Sequence, residues 1–285
     1  MTPSVICPGD TVLLADVGNT RIKLAVVTDH GFVEGAARRL PVVGRRQDLD
    51  SHAFHPDNLE RWLLSAAPGP AVVLVASVHD AAAARLEAVL AATSATSHRP
   101  LRQRRIVHTD LPLTIRLDEP HKTGIDRLAA ATAASLVKTP GRAAIIVDCG
   151  TAATVDMLAA DGTFLGGAIL PGPALMAKAL ADGTSKLPAV AALERSAPPP
   201  MPGRSTHEAI AAGIGWGIQG AIGRIVDEAR ASLGPDAEVI LTGGWRNAVS
   251  AALPGAIDVP DLVLCGIAMA AERACARPTG PAVSG

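Results

Sequence analysis

Apolar residues gather along this chain in short runs bounded by glycine, proline and aspartate. The first run, VLLADVGNTRIKLAVVT at 12–28, holds two Val/Leu-rich stretches around the turn residues Asp16, Gly18 and Asn19. It predicts a strand, a turn and a second strand, and GFVEG at 31–35 reads as a continuation of that sheet. PDNLERWLLSA at 56–66 has amphipathic helical spacing behind Pro56 and Asp57. AVVLVASV at 71–78 is apolar without alternation, as a strand covered on both faces is. A helix opened by Asp80 follows over 80–92, and IVHT at 106–109 reads as another short strand.

The second half continues in the same alternation. A helix is predicted over 124–138 and ends at Pro140 and Gly141. Residues 143–172 read as strand, turn, strand, an Asp161-Gly162 turn and a third strand. The Ala- and Pro-rich 189–203 reads as a loop, 208–233 as a long helix, 238–244 (EVILTGG) as a strand and 261–275 as a last helix. Glycine inside a helix costs up to about 1 kcal/mol, so the glycines of 208–233 imply close approach by another helix or a ligand. The mixture of strands and helices indicates a layered α/β architecture.

One motif occurs twice. LLADVGNT (13–20) and IIVDCGTA (145–152) share strand, Asp, any residue, Gly and a polar residue. Their separation is that of a domain, which implies duplication, with a boundary near 118–122 and domains 1–120 and 121–285. The length of 285 residues agrees with about two domains.

Composition narrows the function. Apolar residues make up 48% of the chain, which excludes disorder. A net charge of −1 argues against a nucleic-acid or anionic-membrane binder that works by charge. Aromatics at 2%, with no Tyr, leave no base-stacking platform. Cys7, Cys149, Cys265 and Cys275 show no paired spacing, against a disulfide scaffold or a structural zinc. Neither a signal peptide nor an apolar run of spanning length is evident, so the expectation is a cytoplasmic protein without a membrane helix.

A glycine turn after a buried strand lets backbone amides approach an anion. Asn19, Thr20, Thr151 and Thr154 add polar groups for phosphate oxygens, the aspartates can hold a hydrated cation, and Lys23 is within reach of a phosphate. One such turn is usually an ordinary hairpin. Two on equivalent strands, with Thr-Gly-Gly on a third, point to a polyphosphate clamp, the third turn suiting a base or sugar. Gly124-Ile125-Asp126-Arg127 opens a helix. Asp126 there is either a favourable first-turn charge or a group placed beside an acceptor hydroxyl, with Arg127 on an anionic part of the substrate. The histidines lack ligand spacing and His121 reads as a surface residue. Cys149 reads as a small packing residue, the Arg-rich 99–105 as a solvated face, and Trp216 as core or dimer interface.

With these residues the chain resembles the type III pantothenate kinases of the acetate kinase–sugar kinase–actin superfamily. The matching segments are DVGNTRIK (16–23), TGIDRL (123–128), VDCGTAATVD (147–156), GGAILPG (166–172), LADGTSKLP (180–188), GRSTHEAIAAGI (203–214), LTGG (241–244) and DLVLCGIA (261–268). The resemblance implies two duplicated actin-like (ribonuclease H-like) α/β domains with an ATP cleft between them. It implies phosphorylation of pantothenate by ATP with Mg²⁺ and a monovalent cation, K⁺ or NH₄⁺, at the first step toward coenzyme A. Asp16, Val17, Gly18, Asn19, Thr20, Arg21, Ile22 and Lys23 would bind ATP phosphates, Asp16 near Mg²⁺, with Thr151 also on ATP. Asp148 would hold the monovalent cation. Asp126 would accept the proton, Gly124, Ile125, Asp126 and Arg127 would line the pantothenate site, and Thr206 would touch the substrate. A homodimer is implied as well, with the substrate site near the subunit interface. One position departs: where the family often has a pantothenate-contacting Tyr, this chain has Leu117. Leu117 keeps a second reading open, a same-fold kinase for another small hydroxyl acceptor, and a third stands beside it, a non-catalytic nucleotide-binding regulator, because some proteins similar to this family have been described as accessory factors in gene regulation.

Overall fold

The computed structural model describes residues 9–31, 39–190 and 199–271. In chain order its elements are β1 (Thr11–Val17), β2 (Arg21–Asp29), β3 (Val42–Asp50), α1 (Pro56–Ala66), β4 (Ala71–Ser77), α2 (Asp80–Ser97), β5 (Leu101–Arg105), β6 (Thr114–Ile115), α3 (Ile125–Val137), β7 (Ala144–Cys149), β8 (Ala152–Leu158) and β9 (Thr163–Pro171). Then come α4 (Pro173–Asp182), α5 (Thr206–Leu233), β10 (Glu238–Thr242), α6 (Arg246–Val249), β11 (Ile257–Asp258) and α7 (Leu262–Met269). They form two compact units. One holds the described residues up to Leu113, Glu119–Leu136 and the described residues from Leu262; the other holds Thr114–Asp118 and Val137–Asp261.

In the first unit the sheet runs β3-β2-β1-β4-β5. β1 pairs antiparallel with β2 and parallel with β4. Leu13, Val73 and Val75 pack against Leu59 and Leu63 of α1 and Leu86 and Leu90 of α2. The spacing of Leu59, Trp62 and Leu63 gives α1 one buried stripe. α7 touches β1 and β4, and every one of its residues is buried. A Cβ at Gly266 would lie 1.9 Å from the Ala129 carbonyl oxygen, so α7 meets α3 backbone to backbone.

The second unit's sheet runs β11-β10-β7-β8-β9-β6. Without its short edge strand β6, this is the first sheet's order repeated. β7 pairs antiparallel with β8 and parallel with β10, as β1 does with β2 and β4. Asp148 occupies on β7 the place that Asp16 occupies on β1. The repeated motif thus lies on equivalent strands of two like sheets. Ile218, Ile222 and Val226 of α5 cover Val147, Val155 and Val239.

Several elements differ from the sequence reading. The strand lies at 101–105, and residues 108–110 form a 3₁₀ turn in place of the expected strand at 106–109. Arg102 and Arg104 are bound on β5 by Asp10 and Asp110, so the Arg-rich stretch is a paired edge strand and not simply a solvated face. β3 and α4 are further elements. Among the described residues, α5 is the one helix long and apolar enough to cross a membrane by length and composition, contrary to the expectation that none qualifies; one face of it lies in the core just described. A Cβ at Gly213, Gly217, Gly220 or Gly223 would meet nothing within 4 Å among the described residues, so these glycines are not explained by close packing in this unit. Residues 32–35, 191–198 and 272–275, with Cys7, lie outside the described residues.

Candidate active site

The turn of the first unit begins where β1 ends. Asp16 is 7% exposed and stands opposite Lys23 across the β1–β2 pair. Lys23 Nζ lies 3.5 Å from Asp16 Oδ2. Burying a carboxylate is costly unless it is paired, and the register alone brings the ammonium to it. The Gly18 N–H donates to the Arg21 carbonyl at 3.0 Å and closes the turn.

Gly124 and Asp126 sit beside that turn. The Val78 N–H donates to the Val17 carbonyl at 3.1 Å, tying the end of β4 to the end of β1. A Cβ at Gly124 would fall 3.6 Å from Val78 Cγ1 and 2.5 Å from Asp126 Oδ1. Glycine therefore leaves room for the carboxylate to fold back over the start of α3, where Oδ1 accepts from the Arg127 N–H at 2.8 Å. The first unit thus brings the 16–23 turn and the 124–127 helix start to the carboxyl ends of adjacent parallel strands, the usual ligand edge of an α/β sheet.

In the second unit three glycines converge on the turn after β7. The Gly150 N–H donates to the Ala152 carbonyl and the Gly172 N–H to the Thr151 carbonyl, both at 3.0 Å. A Cβ at Gly172 would stand 2.2 Å from the Gly150 oxygen. Gly243, with φ +93, would place one 2.4 Å from Asp148 Oδ1 and 2.5 Å from the Cys149 oxygen. The Trp245 N–H then donates to the same Cys149 carbonyl at 2.8 Å. Burial, with the neighbouring Asp148 charge adding to it, pushes the Cys149 thiol up to about 12, so Cys149 is a neutral packing group. Beside this turn a cavity of about 270 Å³ is lined by Ala174, Ala177, Ala181, Val190 and Trp245, with Lys178 and Asp182 also on its wall.

Thr206 is exposed in the first turn of α5, where Ser205 Oγ accepts from the Glu208 N–H at 3.2 Å. Leu117 is half-buried, and its Cδ2 would lie 3.0 Å from a Cβ at Gly166. Asp16 to Lys23 and Gly124 to Arg127 belong to the first unit, whereas Asp148, Thr151, Thr206 and Leu117 belong to the second. Among the described residues no three His, Cys, Asp or Glu side chains gather as a metal cage. Single carboxylates such as Asp16 and Asp148 suit cations that complete their shell with phosphate oxygens and water. Ser51 and Trp245 touch the two turns but were not marked by the sequence. Ser51 arrives through β3, whose charged sequence hid a strand, and Trp245 through the close approach at Gly243.

The chain matches the family model described as type III pantothenate kinase over residues 12–228. A type III pantothenate kinase of Porphyromonas gingivalis is 34% identical over 257 residues, 90% of this chain and 95% of that one. One of Alkalilimnicola ehrlichii is 34% identical over 264 residues, 92% of this chain and 98% of that one. One of Halorhodospira halophila is 44% identical over 155 residues; there the match spans 53% of this chain and just over half, 57%, of the relative. Among solved structures, a Sinorhizobium meliloti protein named as a 2-dehydro-3-deoxygalactonokinase aligns with TM-score 0.54 at 15% identity, over 92% of this chain and 98% of that one. A Campylobacter jejuni protein named for the Baf family of transcriptional activators aligns with TM-score 0.52 at 18% identity, over 91% and 97%. Likeness at such identity speaks for the fold alone, and it agrees with the duplicated α/β architecture.

Proposed function

The chain belongs to the type III pantothenate kinase family, and on that premise we propose that it transfers the terminal phosphoryl group of ATP to the primary hydroxyl of pantothenate. The observation that carries the reading is the pair of Asp-Gly turns at equivalent places in two like sheets, with Asp126 beside the first of them. In this reading residues 16–23 bind the ATP phosphates and Asp16 holds Mg²⁺ through them. When bound, Mg²⁺ neutralises phosphate charge. Thr151 contacts ATP, Asp148 holds K⁺ or NH₄⁺, and the apolar cavity beside Trp245 receives the nucleoside. Gly124, Ile125 and Arg127 line the acceptor site, Arg127 facing the pantothenate carboxylate, and Thr206 touches the substrate. Asp126 orients the hydroxyl and takes its proton. Phosphoryl transfer passes through a loose transition state, so such catalysis is mostly positioning and charge stabilisation.

Purified protein with MgATP and K⁺ is expected to release ADP only when pantothenate is added, and to bind nucleotide less tightly when Na⁺ replaces K⁺. Intact ATP binding without pantothenate-dependent turnover would shift the reading to another acceptor or to a regulator. Indifference to the cation would remove Asp148 as its ligand.

Leu117 favours the second reading, a same-fold kinase for a different small hydroxyl acceptor. If pantothenate is the substrate, Leu117→Tyr restores one hydrogen bond. Its net worth of about 0.5–1.5 kcal/mol corresponds to a KM for pantothenate lowered roughly 2- to 10-fold, with kcat little changed. A raised KM would instead mark Leu117 as fitted to another acceptor.

We also read the protein as a cytoplasmic homodimer. The glycine positions of α5 that meet nothing within 4 Å among the described residues, beside the exposed Trp216, support a subunit contact there, and sedimentation velocity decides the stoichiometry. The repeated strand order supports reading the two sheets as copies of one ancestral domain, with the expected halves 1–120 and 121–285 marking where each copy's strands lie, although α3 and α7 both join the first compact unit and β6 the second.

A further inference from the structure

We propose that Ser51 is a positioning residue that aims the backbone of the first phosphate turn; this rests on the reading that residues 16–23 bind ATP phosphates. Ser51 follows β3 directly and is 1% exposed, so its hydroxyl serves the protein and not a ligand. Ser51 Oγ donates to the Gly18 carbonyl at 2.7 Å, and the Ser51 N–H donates to the Thr20 carbonyl at 3.0 Å. One residue thus holds two of the turn's carbonyls.

The geometry of the peptide unit gives this a consequence. In a planar trans peptide the C=O and the following N–H point in opposite directions. Holding the Gly18 oxygen toward Ser51 turns the Asn19 N–H away from it. Gly18 itself has no side chain to restrict its backbone, so without the Ser51 hydroxyl this peptide plane loses the bond that fixes its carbonyl, although the Gly18 N–H and the Thr20 carbonyl stay bonded. Donors fixed before the ligand arrives stabilise charge without reorganising.

Ser51 is in turn held from α2. Arg85 donates from Nη2 to the Ser51 carbonyl at 2.8 Å and from Nη1 to the His52 carbonyl at 2.7 Å. Its guanidinium carbon lies 4.9 Å from the centroid of the Phe54 ring. Asp50 Oδ1 accepts from the N–H groups of His52 at 2.7 Å and Ala53 at 3.1 Å, closing the loop from the other side. The loop is therefore rigid where it meets the turn.

The test is steady-state kinetics on the full-length protein with both substrates varied. Ser51→Ala is expected to raise the KM for MgATP about tenfold, the loss of one buried hydrogen bond, while the KM for pantothenate stays at the wild-type value. Ser51→Thr, which keeps the hydroxyl, should return the KM for MgATP to wild type. An unchanged KM for MgATP in Ser51→Ala, or a parallel rise in both KM values, would overturn the proposal. Should Ser51→Ala fail to fold, Arg85→Met is expected to give the same split to a smaller degree, and its absence counts equally against it. Lys23→Ala serves as the control: if it leaves the KM for MgATP unchanged, the assignment of the turn to ATP fails and the role of Ser51 fails with it. A raised value in Lys23→Ala beside an unchanged one in Ser51→Ala rejects Ser51 alone.

Discussion

Asp126→Asn is expected to lower kcat by roughly 10²–10⁴, the usual contribution of a placed general base, with the fold and the KM for ATP retained. The substitution isolates chemistry from architecture. Asn has the same shape, and its carbonyl oxygen can still accept from the Arg127 N–H, which Asp126 Oδ1 does at 2.8 Å. The start of α3 therefore keeps its geometry. What is lost, on the proposed function, is the negative charge that Asp126 would hold beside the acceptor hydroxyl and its ability to take the proton. Gly124 leaves the space for this group, since a Cβ there would stand 2.5 Å from Oδ1. If a folded Asp126→Asn turns over at the wild-type rate, Asp126 has no part in the transfer and remains only a favourable charge at a helix start.

Why these residues could be found in the sequence, and others not, follows from how each reaches its place. Asp16, Gly18 and Lys23 lie within one hairpin, and Gly124, Asp126 and Arg127 within one helical turn, so local pattern suffices to bring them together. Asp148 was legible because its strand repeats the first. Ser51 directly follows a strand in which only Val43 and Leu49 are buried, and which reads VVGRRQDLD; an edge strand facing water has little apolar alternation to betray it. β5 was obscured in another way. Arg102 and Arg104 look solvated, yet each meets an aspartate whose carboxylate is buried, Asp10 from before β1 and Asp110 from the 3₁₀ turn just after β5. Local hydropathy cannot register a charge neutralised by a tertiary partner. The glycines of α5 are a different case. Their spacing suggested a close neighbour, and among the described residues a Cβ at Gly213, Gly217, Gly220 or Gly223 meets nothing within 4 Å; a sequence records tolerance of close approach and not which molecule approaches.

Gly243→Ala is expected to destabilise the protein and to disable the turn after β7, which the proposed function assigns to ATP and the monovalent cation. Two costs add at this position. At φ +93 an alanine sits in the left-handed region, at roughly 1–2 kcal/mol. Its Cβ would also stand 2.4 Å from Asp148 Oδ1 and 2.5 Å from the Cys149 oxygen, and overpacking of this kind costs about 1–3 kcal/mol. The obstructing atoms are a backbone carbonyl and a short carboxylate, neither of which can swing aside as the end of a long side chain can. Relief must come from separating β10 from the end of β7, which moves Asp148 and loosens the Trp245 hydrogen bond to Cys149. The expected readout is a Tm lowered by several degrees, a raised KM for ATP and a loss of any K⁺ dependence. Gly255→Ala supplies the comparison, because Gly255 also has positive φ, +78, but among the described residues a Cβ there meets nothing within 4 Å. It should show the backbone cost in Tm with unaltered kinetics. Equal effects of the two substitutions on the KM for ATP would mean that the contact between Gly243 and Asp148 does not shape the nucleotide site.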